Sequence, residues 1–210
     1  MTWGTMGHDT TVSTGSTDSI GMGNVEHEIS DESIIKAVRA GDDTAFAQLV
    51  GRHKRRVFRL AARFARDSDE QEDICQTVFL KVYEHLPSFR NDAPFEHWLT
   101  RITVRCCHDA LRGRRHEKIT LRLDDQVYDI RDNAEKARHE ARQARNFLRF
   151  ALSRLTADER LVITLLELEE FSVREIATAT GWSESNVKVR AHRARQALKR
   201  IVEEHDDQQA

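Results

Sequence analysis

Beyond its first 23 residues the chain carries very few residues that break helices or form turns. It has two prolines and nine glycines in 210 residues, and five of the glycines lie at positions 4, 7, 15, 21 and 23. A many-stranded sandwich or barrel needs a turn about every 8–12 residues, which Gly or Pro usually supplies. Over most of the chain after Ser30, apolar residues recur instead at helical spacing. The sequence therefore predicts an all-α protein.

The helical pattern falls into two small domains. It extends over residues 30–112 and again over 135–203, whereas residues 113–134 are mostly polar and are predicted to form a flexible linker. Residues 1–29, rich in Thr, Ser and Gly, are predicted to be a disordered acidic extension, and residues 204–210 an acidic tail.

No segment predicts membrane insertion or secretion. The most apolar run, Leu161 to Leu166, has six residues, whereas a membrane-spanning helix needs about 18 or more. No Lys or Arg precedes Lys36, although the start of a secretory signal is basic. Because the cysteines are odd in number and Cys106 and Cys107 are adjacent, we expect a reduced, cytoplasmic protein.

Neither a cofactor nor catalysis is predicted. Cys106, Cys107 and His108 are consecutive on a predicted helix, so their side chains point about 100° apart and cannot converge on one metal ion. The sequence also lacks a Gly-rich phosphate-binding loop. We expect a protein that holds no metal or cofactor and is not an enzyme.

Charge is distributed unevenly, although the net charge is only −2. Residues 1–35 carry six acidic and no basic side chains, and residues 201–210 carry four acidic ones. Residues 90–118 contain seven basic and four acidic residues, and residues 181–200 contain six basic residues and one acidic residue. Two basic segments between acidic ends indicate a DNA-binding protein.

The second basic segment has the pattern of a helix-turn-helix. Capping boxes begin predicted helices at Thr156 and Ser172, the turn contains Gly181, and Ser183 caps a second helix. One side of that helix is apolar. The opposite side and its flanks carry the candidate DNA-contacting residues Ser185, Lys188, Val189, Arg190, His192, Arg193 and Gln196.

Two further stripes lie on predicted helices of the first domain. The helix around 70–86 is predicted to bury a broad side that includes Val82 and Tyr83, and it leaves a polar stripe around Leu80. An exposed Leu in such a stripe suits docking of a partner helix, although lone exposed leucines are ordinary. On the helix over 95–112, Trp98 lies beside a row of arginines, which is typical of single-stranded DNA binding unless Trp98 is a core residue.

Three motifs together resemble the extracytoplasmic-function group of the sigma-70 family over about residues 30–203. They are EDICQTVFLKVYEHLPSF, FEHWLTRITVRCCHDALRGRR and LTADERLVITLLELEEFSVREIATATGWSESNVKVRAHRARQAL. The resemblance implies a promoter-specificity subunit of bacterial RNA polymerase, with two helical domains called sigma region 2 and sigma region 4. It also implies contacts with the β and β′ subunits, promoter DNA and an anti-sigma protein.

The resemblance assigns a role to each surface. The β′ coiled coil would be bound by Asp73, Gln76, Thr77 and Leu80. The minus-ten element would be melted and read by Phe89, Arg90, Asn91, Phe95, Trp98, Arg101, Arg105, Arg112, Arg114 and Arg115. The helix-turn-helix residues named above would read the minus-thirty-five element.

The sequence departs from the group at two of these positions. Arg105 stands where Asn is usual, and Val189 stands where Ser is usual, so both bear on which promoter is read. A conventional helix-turn-helix regulator of duplex DNA is the alternative interpretation. It would leave the Leu80 stripe and the Trp98 stripe without a role.

Overall fold

The computed structural model describes residues 30–114 and 134–207, and within these ranges it contains eight α-helices and no strand. The all-α prediction is therefore confirmed. The predictions for residues 1–29, for most of the linker and for Arg115 lie outside the described residues. The helices are α1 (Asp31–Arg39), α2 (Asp43–Ala62), α3 (Ser68–His85), α4 (Phe95–Gly113), α5 (Ala134–Ser153), α6 (Ala157–Glu167), α7 (Val173–Thr180) and α8 (Glu184–Asp207), and a 3-10 turn spans Leu86–Ser88.

Helices α1 to α4 form an N-terminal bundle. The side chains of Ser30, Asp42 and Asp67 cap α1, α2 and α3 by accepting hydrogen bonds from backbone N–H groups of the first turn. Phe64 and Leu99 are almost completely buried at the centre of the bundle. Helices α1 to α3 thus each begin with a polar cap, whereas α4 begins after Pro94 without a side-chain cap.

Helices α5 to α8 form a C-terminal bundle. The predicted capping boxes at Thr156 and Ser172 are both present, and they begin α6 and α7. Helix α7 ends at Gly181, whose φ of 81° lies in the left-handed region that glycine adopts without steric cost. The Ser183 side chain then accepts a hydrogen bond from the backbone N–H of Asn186 at the start of α8. The predicted helix-turn-helix is therefore formed.

The two bundles are packed against each other through α4. This helix contacts α2 and α3 of its own bundle and α6 and α7 of the other. A single cluster of buried side chains runs from Leu99 of α4 to Leu161 of α6, Ile176 of α7 and Val187 of α8. We call this packing of the two bundles the closed arrangement. The prediction of a flexible linker did not indicate it.

Asp158 at the start of α6 makes a polar contact between the bundles. Its carboxylate lies 2.8 Å from His108 Nε2 of α4 and accepts a hydrogen bond of 3.0 Å from Arg190 Nε of α8. Burial by itself raises the pKa of Asp158, but the hydrogen bonds from His108 and Arg190 outweigh it, so the pKa lies below its ordinary value. The carboxylate is thus ionised at neutral pH and holds one group from each bundle.

The cysteines, metal-ligating side chains and apolar helices also bear on the predictions. All three cysteines are free and buried, and burial raises the pKa of the Cys75 thiol to about 11. In the described ranges no group of three His, Cys, Asp or Glu residues is placed to hold a metal ion. None of the described helices is long and apolar enough to cross a membrane.

We expect Asp158→Asn to loosen the closed arrangement, because it removes the charge that His108 and Arg190 share. Since the carboxylate is partly exposed, the cost is about 1 kcal/mol. Small-angle scattering should show a larger radius of gyration than in the wild type. Glu184→Gln, which removes an exposed carboxylate from α8, is the control. Identical scattering from Asp158→Asn and the control would contradict the role of Asp158.

Candidate functional site

The predicted docking stripe is exposed along one side of α3. Asp73, Gln76, Thr77 and Leu80 are all exposed, and within the described residues none of them forms a side-chain hydrogen bond or an ion pair. Leu80 is 57% exposed although it is a large apolar side chain. The stripe is thus a polar surface with one apolar residue that no other part of the described chain covers.

Tyr83 extends this surface, and the prediction that it is buried was wrong. Its side chain is 50% exposed, and its ring contacts Phe46 of α2 edge to face with the ring centres 5.0 Å apart. Tyr83 lies three residues after Leu80, so both project from nearly the same side of α3. Helical periodicity alone could not identify it, because Tyr83 lies at the margin of the apolar side.

An aromatic cluster supports the start of α4. The ring centres of Phe89, Phe95 and Trp98 lie 5.0 to 5.8 Å apart. Phe89 and Phe95 are each only 6% exposed, whereas Trp98 is half-buried. Arg39 of α1 donates hydrogen bonds to the carbonyl oxygens of Leu86 and Phe89 and so fixes the segment leading into the cluster. Phe89 and Phe95 are therefore core residues, and Trp98 is in part a core residue too.

Two of the predicted DNA-contacting residues lie in the segment between Phe89 and Phe95. Arg90 and Asn91 are exposed and make no side-chain contact with a polar partner in the described chain. Asn91 has a φ of 59°, in the left-handed region that Asn tolerates better than most residues. The turn thus presents both side chains to solvent.

The row of arginines on α4 is divided among three environments. Arg101 and Arg112 are exposed and unpaired within the described residues. Arg105 Nε donates a hydrogen bond of 3.3 Å to the Ala179 carbonyl oxygen of α7. Arg114, directly after α4, is partly buried; its Nε donates to Glu70 at 2.7 Å and its Nη2 donates to the Phe64 carbonyl oxygen at 2.8 Å. Arg114 therefore stabilises the bundle rather than facing solvent, which the basic pattern did not indicate.

Helix α8 presents most of its predicted DNA-contacting residues to solvent. The exposed members are Ser185, Lys188, Val189, His192, Arg193 and Gln196. Arg190 differs, because it pairs with Asp158 and its guanidinium lies 4.2 Å from the centre of the Trp182 ring. Val189 is 48% exposed and can offer only an apolar contact.

Comparisons with known proteins match both bundles. The family model for Sigma-70 region 2 matches residues 49–117, and the model for Sigma-70, region 4 matches residues 148–198. The chain is 35% identical over 184 residues to "ECF RNA polymerase sigma factor SigM" of Mycobacterium tuberculosis, covering 88% of this chain and 90% of that protein. It is 30% identical over 181 residues to "RNA polymerase sigma-H factor" of Pseudomonas aeruginosa, covering 82% and 94%.

A solved structure has the same fold. The structure of CnrH in complex with the cytosolic domain of CnrY aligns with a TM-score of 0.53 at 26% identity, and the alignment covers 82% of this chain and 97% of that one. The α3 stripe, the start of α4 and the exposed side of α8 up to Gln196 all lie within the ranges that the two family models match.

The aromatic cluster makes a prediction about stability. Trp98→Ala is expected to lower the free energy of unfolding by about 2 kcal/mol, because it removes a half-buried ring that packs on Phe89 and Phe95. Arg101→Ala, one turn along the same helix, should leave stability unchanged because its side chain is exposed and unpaired within the described chain. Urea denaturation of both variants measures the difference, and equal stabilities would show that Trp98 does not support the cluster.

Proposed function

The chain belongs to the extracytoplasmic-function group of the sigma-70 family of RNA polymerase sigma factors. We propose that one of its three exposed surfaces binds the polymerase and that the other two bind the two promoter elements. As a sigma factor it directs the polymerase to specific promoters, and it is not itself an enzyme. The match to region 2 over residues 49–117 sets aside a conventional helix-turn-helix regulator, which has no such domain. The observation that supports the proposal is that all three surfaces are exposed on helices whose other sides are buried in the core.

The α3 stripe is the surface we assign to the polymerase. Leu80 and Tyr83 offer an apolar contact, and Asp73 with Gln76 and Thr77 supplies polar groups around it. A surface of this kind suits a helical partner such as the β′ coiled coil. Contacts with the β subunit follow from family membership alone.

The start of α4 and the turn before it are assigned to the minus-ten element. Arg90, Asn91 and Arg101 are free to contact a displaced strand, and the half-buried ring of Trp98 offers one face for base stacking. Phe89 and Phe95 contribute by holding that ring in place, and Arg112 extends the basic row. Arg114 contributes through the fold, because its guanidinium is taken up by Glu70 and Phe64.

Helix α8 is assigned to the minus-thirty-five element. Lys188, His192 and Arg193 are exposed on the side that a recognition helix turns toward the major groove. Ser185 and Gln196 can add polar contacts at the two ends, and Val189 can contact a thymine methyl group.

The closed arrangement must open for both elements to be bound together. The elements lie about 25 base pairs apart, which is about 85 Å at about 3.4 Å per base pair, yet α4 and α7 are in contact. Opening also releases Arg105 from Ala179 and Asp158 from His108. We propose that an anti-sigma protein in the cytoplasm controls this step, and the CnrH relative was solved in complex with the cytosolic domain of CnrY.

Leu80→Glu is expected to weaken binding to core polymerase by about 2 kcal/mol, or roughly 30-fold, as at an interface hot spot. The fold should be unaffected because Leu80 is 57% exposed. Val202→Glu is the matched control, since Val202 is 42% exposed near the end of α8 and lies outside both family matches. Titration of labelled protein with core polymerase measures both, and wild-type affinity in Leu80→Glu would refute the assignment of α3.

Arg193→Ala is expected to cost about 1–3 kcal/mol at the upstream element and to relax sequence preference there. Lys199→Ala removes the same charge from the same helix, and it should weaken binding without changing the preferred sequence. Transcription of a randomised promoter library by each holoenzyme, followed by sequencing of the transcripts, compares them. An unchanged upstream preference in Arg193→Ala would show that α8 does not read the element through this residue.

A further inference from the structure

Helix α1 carries none of the residues assigned to the three surfaces, and it lies before residue 49, where the match to region 2 begins. Its apolar side is buried in the N-terminal bundle. Two polar residues near its ends, Asp31 and Arg39, make contacts that lead to the two ends of the turn over residues 90–94, which we call the minus-ten turn. That turn carries Arg90 and Asn91, so these contacts connect α1 to the surface assigned to the minus-ten element.

The guanidinium of Arg39 binds backbone carbonyl oxygens, and it has no carboxylate partner in the described part of the chain. Its Nε and Nη2 donate hydrogen bonds of 3.3 and 3.1 Å to the Leu86 carbonyl oxygen, and Nη2 also donates to the Phe89 carbonyl oxygen. The Leu86 side chain is fully buried, so this residue belongs to the fixed part of the bundle. Because a guanidinium is planar and its donors have fixed directions, Arg39 holds the Phe89 carbonyl in one orientation relative to Leu86.

The minus-ten turn has little hydrogen bonding of its own. Residues 90–93 make no backbone hydrogen bond within the described ranges, and the side chains of Arg90 and Asn91 have no polar partner there. Asn91 also has a φ of 59°, a conformation that is uncommon for residues other than glycine. The conformation of the turn therefore depends on how the residues at its two ends, Phe89 and Phe95, are held.

The end of the turn at Phe95 is also supported from α1. The ring of Phe95 is buried, and its centre lies 5.1 Å from the centre of the His53 imidazole. His53 is only 4% exposed, and its Nε2 lies 2.9 Å from Oδ2 of Asp31 at the start of α1. These contacts and those of Arg39 all lie within the N-terminal bundle, so separation of the two bundles leaves them in place.

We propose that Arg39 is a positioning residue for minus-ten recognition, which fixes the turn in the orientation that presents Arg90 and Asn91 to the displaced strand. The inference rests on the proposed function of this turn and of α4. Arg39 acts through the backbone, since its donors are directed at carbonyl oxygens. Without Arg39 the turn can adopt several orientations, and DNA binding must then order it. A turn that is not held in one orientation binds less tightly and discriminates less between bases.

Transcription of a randomised promoter library by holoenzyme that contains the full-length protein, followed by sequencing of the transcripts, tests the proposal. Arg39→Ala is expected to reduce the preference for the best minus-ten sequence on the order of fivefold, the effect of losing one hydrogen bond that orders a binding segment. Its preference at the minus-thirty-five element should equal that of wild type. Arg39→Lys should fall between the two, because an ammonium keeps the charge but not the planar fork. Lys36→Ala, which removes the other cation from the last turn of α1, is the control and should keep both preferences.

Two results would overturn the proposal: a minus-ten preference in Arg39→Ala equal to that of the control, and an equal relaxation of preference at both elements. Urea denaturation measures the stability of each variant in parallel, because a variant that is only less stable transcribes less from every promoter without a change in either preference. Arg39 is exposed, so Arg39→Ala is expected to fold, and Arg39→Lys gives the same comparison if it does not.

The double variant Arg90→Ala/Asn91→Ala separates this inference from the proposed function. An unchanged minus-ten preference in the double variant would refute the role of the turn itself. A relaxed preference in the double variant, together with a wild-type preference in Arg39→Ala, would refute the role of Arg39 alone.

Discussion

The burial of α4 between two bundles is the constraint on which the rest of the structure depends. Its residues contact α2 and α3 on its own side of the molecule and α6 and α7 on the other, so one helix serves two hydrophobic surfaces. Val104, Cys107 and Leu111 are buried in addition to Leu99 and its neighbours. The exposed positions that remain on α4 include Arg101, Arg105 and Arg112, alongside Glu96, His97 and Asp109.

Because much of α4 is buried between the bundles, an arginine of this helix that could contact DNA can also be used for contacts within the protein. Arg101 remains exposed, whereas Arg105 is held by a carbonyl oxygen of α7. On α8, Arg190 is held in the same way by Asp158 and by the ring of Trp182. Arg105 is therefore occupied by the opposite bundle, and Arg190 by partners within its own bundle. The closed protein has less positive charge to offer DNA than its sequence contains.

Local features of the fold could be predicted from sequence because local forces determine them. The capping boxes at Thr156 and Ser172 and the turn at Gly181 depend on residues within a few positions of each other, and all three are formed. The roles of Arg114 and Glu70 could not be predicted, because they come together from positions 44 residues apart. Tyr83 shows the same limit, since its exposure depends on how closely α2 approaches α3.

The closed packing between the bundles could not be predicted for a related reason. Asp158 is an ordinary first-turn acid of a capped helix, and nothing in its neighbourhood in sequence indicates His108 as a partner. The exposure of the α3 stripe was in contrast predictable, because Leu80 is apolar in a row that is otherwise polar. Its role in binding polymerase stays a prediction.

The interface that closes the molecule also contains polar groups that it does not satisfy. Arg160 of α6 donates to the Phe64 carbonyl oxygen of the other bundle, and burial lowers the pKa of Arg160 to about 10. Its Nε and the Nη1 of Arg114 are buried without an acceptor in the described part of the chain. Each such donor costs about 1–3 kcal/mol, which water returns when the bundles part. These two donors therefore oppose the closed packing, so a partner that binds the open state needs less differential affinity to separate the bundles.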